Sequence, residues 1–493
     1  MASIVAELVF IPAPGVGHIM STVEIAKLFV NRDQRLSITV LVIQPPSSSS
    51  GPAITTYIES LSKNNINRIS FIQLPQDEAP PMRDVKSFMT SFNDYIKSHQ
   101  KYVRNVVAEL MSQPGSGRLA GFVVDMFCTS MIDVANEFSV PTNVFFTSNA
   151  AFLGFKLFVQ TLSDYQNQDV VALTNSDTEV SVPSFVKPVP TKVFWTILQT
   201  REGLDFALVF ARKLREVKAI MVNTFLELET HAIESLSADV NIPKVYPVGP
   251  ILNLEGSSKA VSSSLGNDDV IRWLDSQPTS SVVVLCFGSM GCFDEVQVKE
   301  IARGLELSGH RFVWSLRRPP SDETSKVPSD YEDPGVVLPE GFLERTDGIG
   351  KVIGWAPQVA LLAHSAVGGF VSHCGWNSLL ESLWFGVPVA TWPMYAEQQM
   401  NAFEMVVELG LAVEIKLDYE KNLFFPEANT VVVGAEEIES GIRRLMEDNE
   451  VRRKVKEISE KSRAAVGEGG SSYAAVGDLI QDFIRNISLT LSE

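Results

Sequence analysis

The sequence predicts an α/β protein built from two doubly wound domains in series. Short runs of β-branched and apolar residues alternate with amphipathic runs of helical spacing along most of the chain. The strand candidates are continuously apolar, as expected of parallel strands that helices cover on both faces. The chain has 493 residues, whereas single domains average roughly 100–200 residues. Two such domains therefore fit both the length and the pattern.

The first domain is predicted to span residues 1–245. Its first strand leads through a glycine-containing turn into a predicted helix at His18–Val30. Further apolar runs follow, with helical patterns between them. The predicted strands of this domain are Glu7–Ile11, Ile38–Ile43, Ser70–Leu74, Ala120–Asp125 and Thr142–Thr147.

A linker is predicted at residues 246–269, where the stretch becomes rich in Gly, Ser and Pro. The α/β pattern then restarts in a second domain, residues 270–470, which has a predicted helix at Glu295–Ser308. Helical patterns dominate after Ala435, and residues 471–493 are expected to form a helix that packs back on the first domain. The predicted strands of the second domain are Ser281–Phe287, Arg311–Leu316, Lys351–Gly354, Gly369–Ser372 and Val387–Thr391.

Composition excludes several classes of function. The formal net charge of −18 disfavours nucleic acid and anionic membranes as partners. No apolar stretch reaches the 18 or more residues of a membrane span. The apolar run at Leu8–Pro14 lacks a preceding Lys or Arg and contains two prolines, so no signal peptide is predicted from it. Four cysteines without a CxxC pair indicate a reduced compartment, which predicts a cytoplasmic protein.

Ligands in doubly wound folds bind outside the carboxyl ends of the strands, and the first motif lies there. The segment from Pro12 to His18 contains Gly15 and Gly17, but Met20 occupies the place of a third glycine, so the dinucleotide fingerprint is weak. His18 opens a helix, and Asp125 ends another strand of the same sheet. A neutral imidazole oriented by a carboxylate can act as a general base. The alternative is a helix-entry histidine and a turn acid.

The segment His373–Glu381, HCGWNSLLE, joins a predicted strand to a predicted helix that begins near residues 375–378. Backbone N–H groups at a helix start bind phosphate, and the His, Asn and Ser side chains add donors. Glu381 follows Ser378 by three residues on the same helix face, where a carboxylate suits vicinal ribose hydroxyls. The alternative is a capping box formed by Ser378 and Glu381.

Three further clusters follow strands of the second domain. Trp355-Ala-Pro-Gln358 offers a ring for stacking and an amide, and the alternative is a buried Trp with a capped helix. Glu397 and Gln398 suit sugar hydroxyls, or simply favour the first turn of a helix. The loop at Cys286–Gly291 contains Ser289 and can donate to phosphate, or be an ordinary turn. No Asp-x-Asp, HExxH or Cys/His metal spacing occurs, so no metal site is predicted.

Taken together, these clusters resemble a known family. The 44 residues from Trp355 to Gln398 match, without a gap, the signature box of plant secondary-product glycosyltransferases that use UDP-sugars. The GVGH entry, the VVDMFCTSMIDVANE segment and the FGSMG loop extend the resemblance over most of the chain. Ser365 and Gly369 depart from the common pattern at positions not expected to contact the donor. The resemblance implies two Rossmann-like domains facing across a cleft, the GT-B type of fold.

The resemblance also implies a role for each residue of the motifs. His18 would be the base and Asp125 its partner. Gln398 at the last position of the box favours UDP-glucose over a galactose donor. The residues implied to bind the UDP-sugar are Gly17, Thr147, Ser289, Trp355, Ala356, Gln358, His373, Trp376, Asn377, Ser378, Glu381, Glu397 and Gln398.

The implied activity is inverting, metal-independent transfer of glucose from UDP-glucose to a hydroxyl of a small lipophilic acceptor, with no cofactor. The acceptor would be a phenolic, flavonoid, phenylpropanoid or hormone-like molecule, and the protein is expected to be a monomer. Two alternatives remain: a non-catalytic nucleotide-sugar sensor and a tandem-Rossmann oxidoreductase. Aromatic residues that line an acceptor pocket, or belong to the core, are Phe127, Phe145, Phe146, Phe152, Phe155 and Trp195.

Overall fold

The computed structural model divides into two compact units. It describes residues 6–45, 57–59, 61, 67–76, 85–112, 118–254, 267–320, 327–420 and 431–489. The first unit comprises the described residues of Met1–Val186, Ile197–Asn253 and Ala464–Glu493. The second comprises those of Lys187–Thr196 and Leu254–Arg463.

In the first unit, seven strands of the described chain form one parallel sheet. Their order across the sheet is β3-β2-β1-β4-β5-β6-β7. The order reverses beside β1, which places a topological switch point between β1 and β4. The strands are β1 Ala6–Ile11, β2 Leu36–Val42, β3 Ile69–Gln73, β4 Arg118–Asp125, β5 Thr142–Phe146, β6 Ala219–Val222 and β7 Lys244–Pro247.

Helices of the first unit connect these strands, as parallel pairing requires. The first begins at the N-cap Gly15 and buries Ile19, Val23 and Phe29 on one side. The α-helices are Val16–Arg32, Val85–Ser98, Gln100–Ser112, Met131–Glu137, Ala150–Asp164, Val170–Thr174, Arg201–Leu214, Thr230–Ala238 and Ser471–Leu489, with a 3₁₀ turn at Thr196–Gln199.

The second unit contains a six-stranded parallel sheet within the described residues. Its order is β10-β9-β8-β11-β12-β13, again with a switch point beside its first strand. Two-residue strands occur at Arg317–Arg318 and Ser329–Asp330, which pair with each other. The main strands are β8 Val282–Cys286, β9 Arg311–Ser315, β10 Gly350–Ile353, β11 Val367–Ser372, β12 Val389–Thr391 and β13 Ala412–Glu414.

The helices of the second unit follow its strands. Its core gathers Phe312, Trp314 and Trp392 with aliphatic residues of the strands and of the helices that pack on them. The helices are Asn267–Asp275, Glu295–Ser308, Phe342–Arg345, Gln358–Leu362, Trp376–Phe385, Gln398–Phe403, Ala435–Glu447 and Asn449–Val466, with 3₁₀ turns at Thr191–Val193 and Pro334–Val336 and a π-helical turn at Glu404–Glu408.

These two sheets confirm the predicted fold class, two Rossmann-like units of parallel strands and helices. The ten predicted strands occur within two residues of the expected ends. Three strands of the two parallel sheets were not predicted, namely β6, β7 and β13.

The units differ from the expected domain bounds in three places, one of which is Ala464–Gly470, expected in the second domain but part of the first unit. Strand β7 includes Tyr246 and Pro247, so the expected linker begins inside the sheet, and its residues 255–266 lie outside the described chain. Lys187–Thr196 belongs to the second unit. The backbone N–H of Lys187 donates to the Glu408 carboxylate over 2.8 Å. Local sequence patterns do not predict a bond between residues so far apart in the chain.

The helix Ser471–Leu489 packs on β4 and β7 of the first sheet. The buried ring of Phe483 lies 6.0 Å from that of Phe29, and the Asn486 amide donates to the carbonyl of Ala120 over 2.8 Å. Residues 490–493 of this segment lie outside the described chain. No helix in the described ranges has the length and apolarity of a membrane span, and all four cysteines are buried thiols.

Replacing Phe483 with Ala is expected to destabilise the protein by about 3–5 kcal/mol, because a buried aromatic ring leaves a cavity. Urea denaturation followed by tryptophan fluorescence measures the shift in midpoint. The control is Gln481→Ala, at an exposed position of the same helix. Equal midpoints for the two variants would contradict the packing described for this helix.

Candidate active site

His18 and Asp125 come together at the carboxyl edge of the first sheet. His18 lies in the first turn of the helix after β1, and Asp125 is the buried last residue of β4. The Nδ1 atom of His18 is 2.7 Å from Oδ2 of Asp125. Because an ionised carboxylate only accepts hydrogen bonds, we assign the ring proton to Nδ1. Nε2 then carries the lone pair that a general base needs.

Neighbouring groups fix this pair. The backbone N–H of Phe127 donates to Asp125 Oδ1 over 2.9 Å, so each carboxylate oxygen has a donor. The Thr147 hydroxyl, just after β5, is 3.2 Å from the same His18 nitrogen. Gly17 lies in the first turn of the helix beside His18. The structure thus brings three of the predicted residues to one imidazole, which is bonded to the Asp125 carboxylate.

Phe127 extends the site with an aromatic surface. Its ring meets that of His18 edge-on at 5.5 Å between centroids and also contacts Phe210 at 5.5 Å and Phe92 at 5.8 Å. Phe127 is only partly buried. In contrast, the other aromatic residues suggested for a pocket are buried in the core, namely Phe145, Phe146, Phe152, Phe155 and Trp195.

In the second unit, the segment HCGWNSLLE joins β11 to a ten-residue helix, Trp376–Phe385. The helix begins where the sequence predicted, with Gly375 as the N-cap. Ser378 therefore lies inside the helix, and the capping-box alternative is wrong. The first-turn N–H groups and the positive end of the helix dipole face the loop that follows β11. Asn377 lies in this turn, beside the buried ring of Trp376.

His373 is buried in a space left by two glycines. A Cβ atom added at Gly288 or at Gly375 would lie 2.5 Å from His373 Nε2. Burial lowers the pKa of His373 to about 4, so the ring is neutral at pH 7. Its Nδ1 atom is buried, with no hydrogen-bond partner among the described residues. A buried polar atom without a partner is costly in a fold, which is consistent with a ligand group completing it.

Gln358 connects two of the predicted ligand-binding residues. Its side-chain amide donates to Ser378 Oγ over 2.9 Å and to Glu381 Oε2 over 2.7 Å. Burial raises the pKa of Glu381 to about 7, against the lowering effect of the bond from Gln358. The three side chains, from the start of helix Gln358–Leu362 and from the helix after β11, form one polar cluster.

The remaining predicted residues lie in loops after the strands of this sheet. Trp355, after β10, is 43% exposed, so the alternative of a buried Trp is wrong. Ala356 beside it is buried, and Ser289 is exposed in the loop after β8. Glu397 is the N-cap of helix Gln398–Phe403. The side-chain oxygen Oε1 of Gln398, the first residue of that helix, accepts from two backbone N–H groups, those of Met394 and Tyr395.

Two residues that contact these side chains were not expected from the sequence. Arg317 lies with its guanidinium over the Trp355 ring. Tyr395 has its ring 6.4 Å from that of His373. The only local signal for Arg317 is a cation directly after a buried strand, and its partner is distant in sequence.

Within the described ranges, no group of three or more His, Cys, Asp or Glu side chains is arranged to hold a metal ion.

Comparison with known proteins finds similarity to glycosyltransferases in both a family model and individual sequences. The family model described as "UDP-glucoronosyl and UDP-glucosyl transferase" matches residues 7–423. UDP-glucose flavonoid 3-O-glucosyltransferase 6 of Fragaria ananassa is 54% identical over 480 residues, covering 96% of this chain and 97% of that protein. Anthocyanidin 3-O-glucosyltransferase 1 of Manihot esculenta is 50% identical, over 95% of this chain and 100% of that protein.

Solved structures of plant transferases with bound UDP or UDP-glucose are also similar to this chain. Medicago truncatula UGT71G1, complexed with UDP-glucose, superposes with a TM-score of 0.85 at 41% identity, covering 97% of this chain and 98% of that one. A transferase from Siraitia grosvenorii in complex with UDP gives a TM-score of 0.84 at 46% identity, covering 97% of this chain and all of that one.

The raised pKa of Glu381 predicts that the stability of the folded protein depends on pH. A folded-state pKa of about 7, raised from 4.5, means that the fold binds this proton more tightly than the unfolded chain does. The resulting stability is complete below pH 4.5 and is lost as the pH rises through about 7. Glu381→Gln should therefore gain stability relative to wild type as the pH rises from about 5 to about 8, because most of the loss in the wild type falls within that range.

Thermal unfolding at the two pH values measures this change, and Glu344→Gln, at an exposed position, is the control. A difference between wild type and Glu381→Gln that does not vary with pH would show that Glu381 ionises normally.

Proposed function

The chain belongs to the UDP-glucoronosyl and UDP-glucosyl transferase family and has its GT-B type of fold, and from this premise we propose that it transfers glucose from UDP-glucose to a hydroxyl group of a small lipophilic acceptor. The reaction inverts the sugar to a β-glucoside. The observation that carries this proposal is the 2.7 Å contact between His18 Nδ1 and the buried Asp125 carboxylate. It leaves the second ring nitrogen of His18 as a base.

The aromatic surface next to His18 supports a flat, apolar acceptor. Phe127 meets the catalytic ring edge-on and is itself braced by Phe210. An aromatic acceptor can add offset-stacked or edge-to-face contacts with these rings, each worth about 0.5–1.5 kcal/mol beyond the buried area. The names of the relatives, which act on flavonoid and anthocyanidin acceptors, point the same way. We therefore propose a phenolic acceptor, of the flavonoid or phenylpropanoid kind.

The polar clusters of the second unit suit the parts of UDP-glucose. The partly exposed ring of Trp355 offers a face for uracil, with Ala356 and Gln358 beside it. Glu381 accepts from the ribose hydroxyls one helical turn after the diphosphate donors. Those donors are the helix start at residues 375–378 together with the side chains of Ser289, His373, Asn377 and Ser378.

The glucose hydroxyls are assigned to Trp376, Glu397 and Gln398. The side-chain oxygen of Gln398 is already bound to the backbone N–H groups of the preceding turn. This leaves its amide nitrogen as the group that donates to the sugar. Thr147 and Gly17, beside His18, are assigned to the sugar and its phosphate from the acceptor side.

In the proposed mechanism, His18 Nε2 takes the proton of the acceptor hydroxyl while its oxygen attacks the anomeric carbon of glucose. The bond between that carbon and the UDP oxygen breaks as the new glycosidic bond forms, so no covalent enzyme intermediate arises. Asp125 stabilises the imidazolium through its bond to Nδ1. The start of helix Trp376–Phe385 stabilises the negative charge that develops on the departing UDP.

We propose that this reaction requires no metal, because neutral and dipolar donors can hold the diphosphate. Family membership excludes the tandem-Rossmann oxidoreductase. The remaining alternative, a non-catalytic sensor, would bind UDP-glucose without turning it over. Cytoplasmic location and a monomeric state stay predictions of the sequence.

His18→Ala is expected to lower kcat by about 10²–10⁴-fold while UDP-glucose binding persists, because a single general base contributes that much. Asp125→Asn should also lower kcat, since the ring loses its anionic partner. His231→Ala, at an exposed histidine of the same unit, is the control. Near-normal kcat in His18→Ala, measured by steady-state kinetics, would remove His18 from the base role.

Incubating the protein with UDP-glucose, a panel of phenols and EDTA is expected to yield products heavier by one hexose, detected by mass spectrometry. A parallel reaction with added Mg²⁺ should give the same rate. Transfer only in the presence of the metal would refute the metal-independent mechanism. UDP-glucose binding without transfer to any acceptor would favour the sensor.

A further inference from the structure

Trp355 has a cation against its ring. The guanidinium carbon of Arg317 lies 4.9 Å from the centroid of the indole, within the range of a cation–π contact. The Trp355 side chain nevertheless stays 43% exposed. The indole thus has one neighbour that contacts its π-system and substantial surface that remains open to a ligand.

Arg317 is itself held in place. Its side chain is only 9% exposed and directs its donors at fixed acceptors of one short segment. Nη2 donates to the carbonyl of Pro328 over 2.6 Å, and Nε lies 2.9 Å from a carboxylate oxygen of Asp330. The carbonyl of Ser329 is a further acceptor at 3.3 Å. A guanidinium bound at several points has little freedom to move away from the indole.

The backbone before Trp355 is adapted to the same arrangement. A Cβ atom at Gly354 would lie 2.4 Å from the carboxyl carbon of Asp330, so only glycine lets that carboxylate come so close. The Ser315 hydroxyl donates to the Gly354 carbonyl over 2.7 Å. Gly354 thus contacts Asp330, and Asp330 contacts Arg317. Arg317 in turn contacts the ring of Trp355, the residue that follows Gly354.

We propose that Arg317 is a positioning residue for donor binding, which holds the Trp355 indole so that it is ready to stack on the uracil of UDP-glucose. This inference rests on the proposed function, in which Trp355 binds the base. A ring fixed before binding loses less conformational entropy when the base arrives. Asp330 and Gly354 support the same arrangement from behind, and neither needs to touch the nucleotide.

A purely structural role for Arg317 makes a different prediction. If Arg317 served only the local fold, its loss would change the melting temperature and affect kcat and KM together. A positioning role raises the Kd of UDP and the KM for UDP-glucose, leaves kcat unchanged, and disappears once the indole is gone.

A double-mutant cycle tests this proposal. R317Q is expected to raise the Kd of UDP by about three- to tenfold, the effect of a partly desolvated cation–π contact. W355L should raise it by about tenfold, as the loss of one base–aromatic stack does. The double variant should bind UDP no more weakly than W355L does. Isothermal titration of UDP gives each Kd, and steady-state kinetics with UDP-glucose gives kcat and KM.

The control is R318Q, which removes the exposed neighbouring arginine and should leave the Kd of UDP unchanged. Because R317Q removes a buried group, D330A and G354A provide a second route that leaves Arg317 in place. Both should raise the Kd of UDP when Trp355 is present and have no effect in the W355L background.

The results distinguish a failure of the base-binding role of Trp355 from a failure of the positioning role of Arg317. A W355L variant that binds UDP as wild type does would refute the base-binding role of Trp355, and with it part of the proposed function. If W355L weakens binding but R317Q, D330A and G354A do not, the positioning role alone is overturned. It is also overturned if R317Q weakens binding by the same factor with and without the indole.

Discussion

The register between parallel neighbouring strands brings the candidate site together within each unit. In the first sheet, Ile11 of β1 pairs with Val124 of β4, so the residues that follow each strand emerge side by side. His18 and Asp125 come from these two segments and meet at 2.7 Å. Since all strands of the sheet are parallel, their carboxyl ends share one edge, and chemistry encoded far apart in sequence collects there.

The same constraint operates in the second sheet. Cys286 of β8 pairs with Ser372 of β11, which sets the glycine loop after β8 against the histidine loop after β11. The closeness of Gly288 to the His373 ring is a direct result. A shift of one residue in this register would turn the flanking side chains to the opposite face of the sheet and disperse the cluster.

Burial gives these groups their chemical character. Desolvation keeps His373 neutral, with a pKa of about 4, and holds a proton on Glu381 up to a pH of about 7. The candidate donor site is therefore built from dipoles and neutral donors more than from cations, in a chain whose formal charge is −18. Arg317 is the cation that contacts the indole, and its charge is directed at backbone carbonyls and Asp330 rather than at the cluster around His373.

The sequence by itself determined the fold class and most of the candidate site. Continuous apolar runs predicted the strands, and residues that follow a strand must lie at the carboxyl edge of a parallel sheet. It also placed the start of the helix at Gly375, since glycine and small polar residues mark such a turn. Local patterns left open whether Ser378 and Glu381 were a cap and whether Trp355 was buried.

Only the tertiary structure decided those questions, because they depend on neighbours distant in sequence. Gln358 bonds to Ser378 and Glu381, which lie in a different helix about 20 residues later in the chain. The exposure of Trp355 depends on the residues that surround the loop after β10. The contact between Arg317 and Trp355 requires β9 and β10 to be paired in register, Ser315 with Ile353. No periodicity encodes such a contact, since it arises from the three-dimensional proximity that strand pairing creates.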